Sequence, residues 1–159
     1  RRLWIPSKLA YGERPMAGAP AGDLVFDIEL LEIIQPLEAP KDLKKPPADA
    51  KKTASGLVYK FLKHGAGKEH PKPASVATVN YSGWTKDGKM FDSSVVRGTP
   101  AKFSVDGVIK GWTEGLELMV AGDQMRLWIP ADLAYGQKPT RPGAPVGDLV
   151  FDVELVEFH

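Results

Sequence analysis

The chain has 159 residues, 43% hydrophobic and 26% charged, a globular composition with room for one ordinary domain or two small ones. Its 21 basic and 20 acidic residues leave a net charge of +1, too small a field to imply a nucleic-acid or membrane partner. No apolar run approaches the ~18 residues of a membrane span, and the absence of cysteine excludes disulfides, thiol catalysis and Cys-ligated zinc.

His64, His70 and His159 are the only histidines, and none is spaced with a second His or a carboxylate as in a metal motif. Neither a metal nor another cofactor is therefore expected. The chain opens on Arg1 without a signal-like segment, so its compartment stays open, cytoplasmic or bacterial extracytoplasmic, for a soluble protein.

In chain order, the first feature is one half of an internal repeat. RLWIPSKLAYG at residues 2–12 returns as RLWIPADLAYG at 126–136, and GAPAGDLVFDIELLE at 18–32 returns as GAPVGDLVFDVELVE at 143–157. The second copy is preceded by some seventy residues of patterned sequence, the first by Arg1 alone. Residues 1–34 are accordingly expected to be the C-terminal half of a first domain in a tandem protein, truncated at its front. Leu3 and Ile5 with Leu24, Phe26, Ile28 and Leu30 predict a hairpin with an uncovered apolar face, which should dock on the second domain or pair with another copy.

Residues 35–53 carry Pro36, Pro40, Pro46 and Pro47 among five lysines, a pattern expected of a semi-rigid, solvated linker. From 54 to 159 the period is mostly two. Leu57, Tyr59 and Phe61 predict one strand, residues 76–84 a second, and Asp87-Gly88 a hairpin turn into 90–93. Further strands follow at 102–105, 125–129 and 149–156. Between them, VIKGWTEGLELM at 108–119 places Trp112, Leu116 and Met119 at helical spacing, with Gly122 as the expected stop. A helix of about two turns is marginal alone and has to lean on the sheet. The fold class is therefore α+β, an antiparallel sheet whose buried face curls over one short helix.

Inward positions collect Tyr81, Phe91, Phe103, Val108, Ile109, Trp112, Tyr135 and Phe151. Any one of them could simply fill the core, and Trp112 reads equally as the floor of a hollow or as a plug. As a group they enclose Asp92, whose carboxylate is expensive to bury unpaired, with Arg97 and the Tyr81 hydroxyl as its expected partners. The set contains no activated nucleophile and no histidine base, so it reads as a binding cup rather than a site of covalent chemistry.

VNYSGWTKDGKMFDSS (79–94), VIKGWTEGLELM (108–119), LAYG (133–136) and LVFDVELVE (149–157) together resemble the FKBP family of peptidyl-prolyl cis-trans isomerases. The resemblance implies a five-stranded antiparallel sheet wrapped around the helix and a proline pocket between them. Carried over by motif, that pocket is Tyr81, Phe91, Asp92, Val108, Ile109, Trp112, Tyr135 and Phe151, with Arg97 bracing the aspartate. Asp92, Tyr135, Trp112 and Phe91 would be the catalytic residues. The implied activity is rotation about X–Pro bonds in proline-containing peptides and unfolded proteins, and the implied ligands include macrolides such as rapamycin. Ala101, where many members have an aromatic wall, and the 137–146 loop depart from the family pattern and bear on substrate preference and macrolide affinity. The rival expectation is a non-catalytic peptide-binding or chaperone module that keeps the cup.

Overall fold

The computed structural model describes residues 1–10, 21–29, 37–138 and 142–159, and the chain divides into two units, Arg1–Gln35 and Pro36–His159. In the first, strand β1 (Arg2–Ile5) pairs antiparallel with β2 (Leu24–Asp27), Arg2 opposite Asp27 and Ile5 opposite Leu24. Arg2 also closes this hairpin through its ion pair to Asp27 at 2.6 Å. Of the residues expected to line its apolar face, Leu3, Phe26 and Ile28 are exposed, while Leu30 lies outside the described residues.

The second unit opens with the segment expected to be a solvated linker, and here the structure corrects the sequence. Leu43 is buried, the main chain at Asp42 accepts from Trp128, and a two-residue strand β3 (Lys51–Lys52) adds to the sheet edge. The reason is long-range: the apolar partners of Leu43 are Trp84, Trp128 and Val150 from distant strands.

The remaining strands are β4 (Val58–Lys63), β5 (Val76–Thr85), β6 (Met90–Ser93), β7 (Ala101–Ser104), β8 (Gln124–Ile129) and β9 (Leu149–Phe158). Their order is β3-β4-β8-β9-β5-β6, every pairing antiparallel, with β7 also on β5. β7 lies along Val76–Val79 and β6 along Ser82–Trp84, so the two share one edge of β5. That makes the expected five-stranded sheet, with β3 as a short addition.

What interrupts the shared edge is a single helical turn, α1 (Ser94–Arg97), which no predicted element covers. Its start and stop are chemical: the Ser93 side chain accepts from Val96 N, and Gly98 takes φ 73°, a left-handed conformation that favours glycine. The main helix, α2 (Lys110–Leu118), places Trp112 in its first turn as expected, but it ends before the expected stop at Gly122. Met119 caps it, and Gly122 instead makes the turn into β8 with φ 91°.

Period two sends Ala77, Val79 and Tyr81 of β5, Met125, Leu127 and Ile129 of β8, and Phe151, Val153 and Leu155 of β9 into one core with Trp112, Leu116 and Met119. Two glycines let the helix approach: a Cβ on Gly111 would lie 2.5 Å from Ile129 and one on Gly115 2.9 Å from Leu127. Among the described residues no helix is long and apolar enough to cross a membrane.

Candidate functional site

The cleft between α2 and the sheet is assembled from six places in the chain. β5 brings Tyr81, β6 brings Phe91 and Asp92, β7 brings Phe103, β9 brings Phe151, and the approach to α2 brings Val108 and Ile109 above Trp112. With Tyr135 and Gly107 these residues line an open space of about 510 Å³. Of the nine residues expected to bind substrate, eight line the cleft and the ninth, Arg97, stands behind it.

Trp112 is the floor rather than a plug. Its ring meets Tyr81, Phe103 and Phe151 edge-on at centroid separations of 5.1, 5.6 and 5.3 Å, with interplanar angles of 84° to 87°. Phe91 meets Phe151 in the same way at 5.4 Å. Edge-to-face packing puts the positive rim of one ring on the negative face of the next and fixes the orientation of each. The cup therefore keeps its shape without being filled. Gly83 makes this possible behind the wall, since a Cβ there would lie 2.7 Å from both Phe151 and Phe91.

Among the described residues Asp92 is the one carboxylate lining the cleft. The Tyr81 hydroxyl donates to its Oδ2 and the Arg97 guanidinium to its Oδ1, and Arg97 also donates to the Tyr81 oxygen at 3.1 Å. The Arg97 guanidinium carbon sits 5.7 Å from the Tyr81 ring centroid. Burial, and then the hydrogen bond to Asp92, raise the Tyr81 phenol above its ordinary pKa. The partners of Asp92 are those expected, but its setting is wetter than expected: 40% of its side chain is exposed. The pair stands at the rim, where orientation rather than burial is the outcome.

The polar groups at the other end come from backbone and from a turn. The Ile109 carbonyl accepts from Trp112 N and Thr113 N, while its N–H has no acceptor among the described residues. Tyr135 follows a 3-10 turn, Ala131–Leu133, pinned by the Asp148 carboxylate accepting from Ala131 N at 3.0 Å. Sequence reasoning left Phe103 out of the site although the alternation of 102–105 put it inward, and it left out Gly107, for which no local signal existed. Ala101 packs against the core beside these rings, and the middle of the 137–146 loop lies outside the described residues. Among the described residues no three His, Asp or Glu side chains cluster so as to hold a metal ion.

A family model described as FKBP-type peptidyl-prolyl cis-trans isomerase matches residues 67–156, more than half of the chain. The FKBP-type isomerase FkpA of Escherichia coli K12 is 49% identical over 108 residues, 67% of this chain and 39% of FkpA. The outer membrane protein MIP of Legionella longbeachae is 45% identical over 105 residues, 64% of this chain and 44% of that protein. The crystal structure of Escherichia coli FkpA superposes with a TM-score of 0.66 at 46% identity, over 70% of this chain and 52% of that one. The chain thus spans less than half the length of the curated relatives it matches here.

Proposed function

Because the chain belongs to the FKBP-type peptidyl-prolyl cis-trans isomerase family, we propose that residues 54–159 accelerate rotation about X–Pro bonds in extended and unfolded polypeptides. The observation that carries this is the Trp112-floored cleft with Asp92 held at its rim. The reaction needs no covalent bond to break. An amide resists rotation by about 18–20 kcal/mol because twisting it loses resonance, and unaided X–Pro isomerisation takes tens to hundreds of seconds.

A twisted amide has less charge separation than a planar one, so apolar walls disfavour the planar ground state relative to the transition state. In this reading Trp112, Phe91, Val108 and Phe151 grip the prolyl ring. The Ile109 N–H and the Tyr135 hydroxyl hold the flanking carbonyls, and Asp92, oriented by Tyr81 and Arg97, sets the polarity of the wall that the rotating carbonyl faces. Each tenfold acceleration requires about 1.4 kcal/mol, within reach of a few such contacts. The same cup suits macrolides of the rapamycin type, with affinity tuned by the small Ala101 wall.

Residues 1–34 we assign to the C-terminal half of a first domain of this fold. Support comes from the shared register of β1–β2 and β8–β9 and from the Ser7 N contact to Asp23 at 2.7 Å, which repeats that of Ala131 N to Asp148. Counterparts of Tyr81, Asp92 and Trp112 do not occur there, so this half contributes no turnover. Its exposed apolar residues favour pairing with a second copy. A bacterial extracytoplasmic setting is favoured by the name of the Legionella relative.

A protease-coupled assay on a proline-containing peptide, with and without rapamycin, tests the assignment. Turnover should be present, inhibited by the macrolide, and reduced at least a hundredfold in a Trp112→Ala, Tyr135→Phe, Asp92→Ala triple variant. Undiminished turnover in that variant removes the site, and peptide binding without any rate change would point to a binding module instead.

A further inference from the structure

The outer face of the sheet carries a second set of specific contacts that isomerisation does not use. Arg126 and Trp128 alternate along β8 with Leu127 and Ile129, which enter the core. Arg126 grips Asp152 with Nε at 2.6 Å and Nη2 at 2.7 Å, and its remaining Nη1 reaches Asp42 at 2.7 Å. Trp128 Nε1 donates to the Asp42 carbonyl at 2.9 Å, and Leu43, 5% exposed, packs with Trp84, Trp128 and Val150. A carboxylate, the peptide oxygen of the same residue and the next side chain are each met by a separate group on the sheet. A forked guanidinium and an indole donor are directional, so such a seat discriminates where a plain apolar face would not.

The seat belongs to the sheet rather than to its occupant, because the chain repeats it. Arg2, Trp4, Val25 and Asp27 stand in the register of Arg126, Trp128, Val150 and Asp152, and Arg2 grips Asp27 with Nε at 2.6 Å and Nη2 at 2.9 Å. There Trp4 is 70% exposed. Around Arg126, moreover, the occupant does not exhaust the available surface: beside Pro40 a groove of about 330 Å³ continues past Leu62, Ser82 and Gln124.

We propose that the outer face around Arg126 and Trp128 is a second recognition surface, reading a turn-forming segment in which aspartate is followed by leucine. Asp42–Leu43 is its resident occupant, and the same chemistry on another polypeptide is its partner. The tether from Leu43 to β4 is short, so the resident is present at an effective concentration on the order of millimolar. A competitor has to work in that range or meet a face from which the resident has been released.

The test is an NMR titration of the full chain carrying Asp42→Ala and Leu43→Ala, using a peptide of residues 38–48. The double variant should displace the Trp128 indole and Arg126 Nε–H resonances, and millimolar peptide should return both saturably to their wild-type positions. A peptide with Asp42→Asn should need at least tenfold more. If the double variant does not fold, Asp42→Asn in the chain carries the same titration. Isomerase turnover of the variant should match the wild type, which separates failure here from failure at the proline cleft. Resonances unmoved by the substitutions, no return at several millimolar peptide, or equal response to the Asn peptide would each overturn the proposal.

Discussion

Tyr81 joins the two ways in which single residues make this site. Its ring packs edge-on to Trp112 and Phe103, while its hydroxyl donates to Asp92 and accepts from Arg97. Tyr81→Phe keeps the ring and removes one of the two groups that orient Asp92. Hydrogen bonds to charged partners are worth roughly 1.5–3 kcal/mol, less at an exposed rim. The expected result is therefore a fall of about tenfold in kcat/KM with little change in folding. The raised pKa of the phenol adds a pH effect with a definite sign. A folded-state value above the unfolded one favours the protonated form in the fold, so this contribution to stability is complete below about pH 10 and is lost as pH rises through the folded value. Thermal midpoints measured across that range should decline in the wild type and decline less in Tyr81→Phe.

Among the elements, β5 does most to place the site, and Gly83 is its critical position. The rings of Phe91 and Phe151 lie where a Cβ would go, both 2.7 Å away, and β5 is hydrogen-bonded on both sides and cannot retreat. Gly83→Ala should cost about 1–3 kcal/mol by overpacking. It should also lower kcat/KM because the two rings must part, and calorimetry alongside the peptide assay checks both. The strands themselves were legible in the sequence, because a half-buried strand writes its burial as alternation: Ala77, Val79 and Tyr81 inward, Met125, Leu127 and Ile129 inward. Asp92 with Arg97 was legible through the cost of an unpaired carboxylate and the family motif. Leu43 was not, because a lone leucine among lysines and prolines has no period, and its partners lie some forty to over a hundred residues away. Nor could local spacing decide whether Trp112 filled the core or floored a cleft; that depends on where β7 and β9 bring Phe103 and Phe151.

At the scale of the whole molecule, the two faces of one sheet do different work, and the turn bearing Tyr135 is tied to both stability and site. Asp148 accepts from Ala131 N and pairs with Lys86 at 2.6 Å; Lys86 first, then the backbone donor, hold its carboxyl below the ordinary value against the opposing effect of burial. A depressed folded-state pKa means stability present above the unfolded value, near pH 3.9, and lost as pH falls through the folded one. Asp148→Asn should flatten the acid limb of the stability profile and loosen the turn before Tyr135, so that KM rises in the peptide assay even at neutral pH.

The distribution of the tryptophans has an optical consequence. Trp112 borders the cleft, whereas Trp84 and Trp128 are sealed in a separate apolar cluster behind the sheet and Trp4 is bathed in solvent. A guest entering the cleft changes the surroundings of Trp112 and leaves the two indoles of that cluster untouched. Intrinsic emission should therefore report occupancy without any attached dye, and the ligand-dependent part of that signal should disappear when Trp112 alone is replaced by phenylalanine.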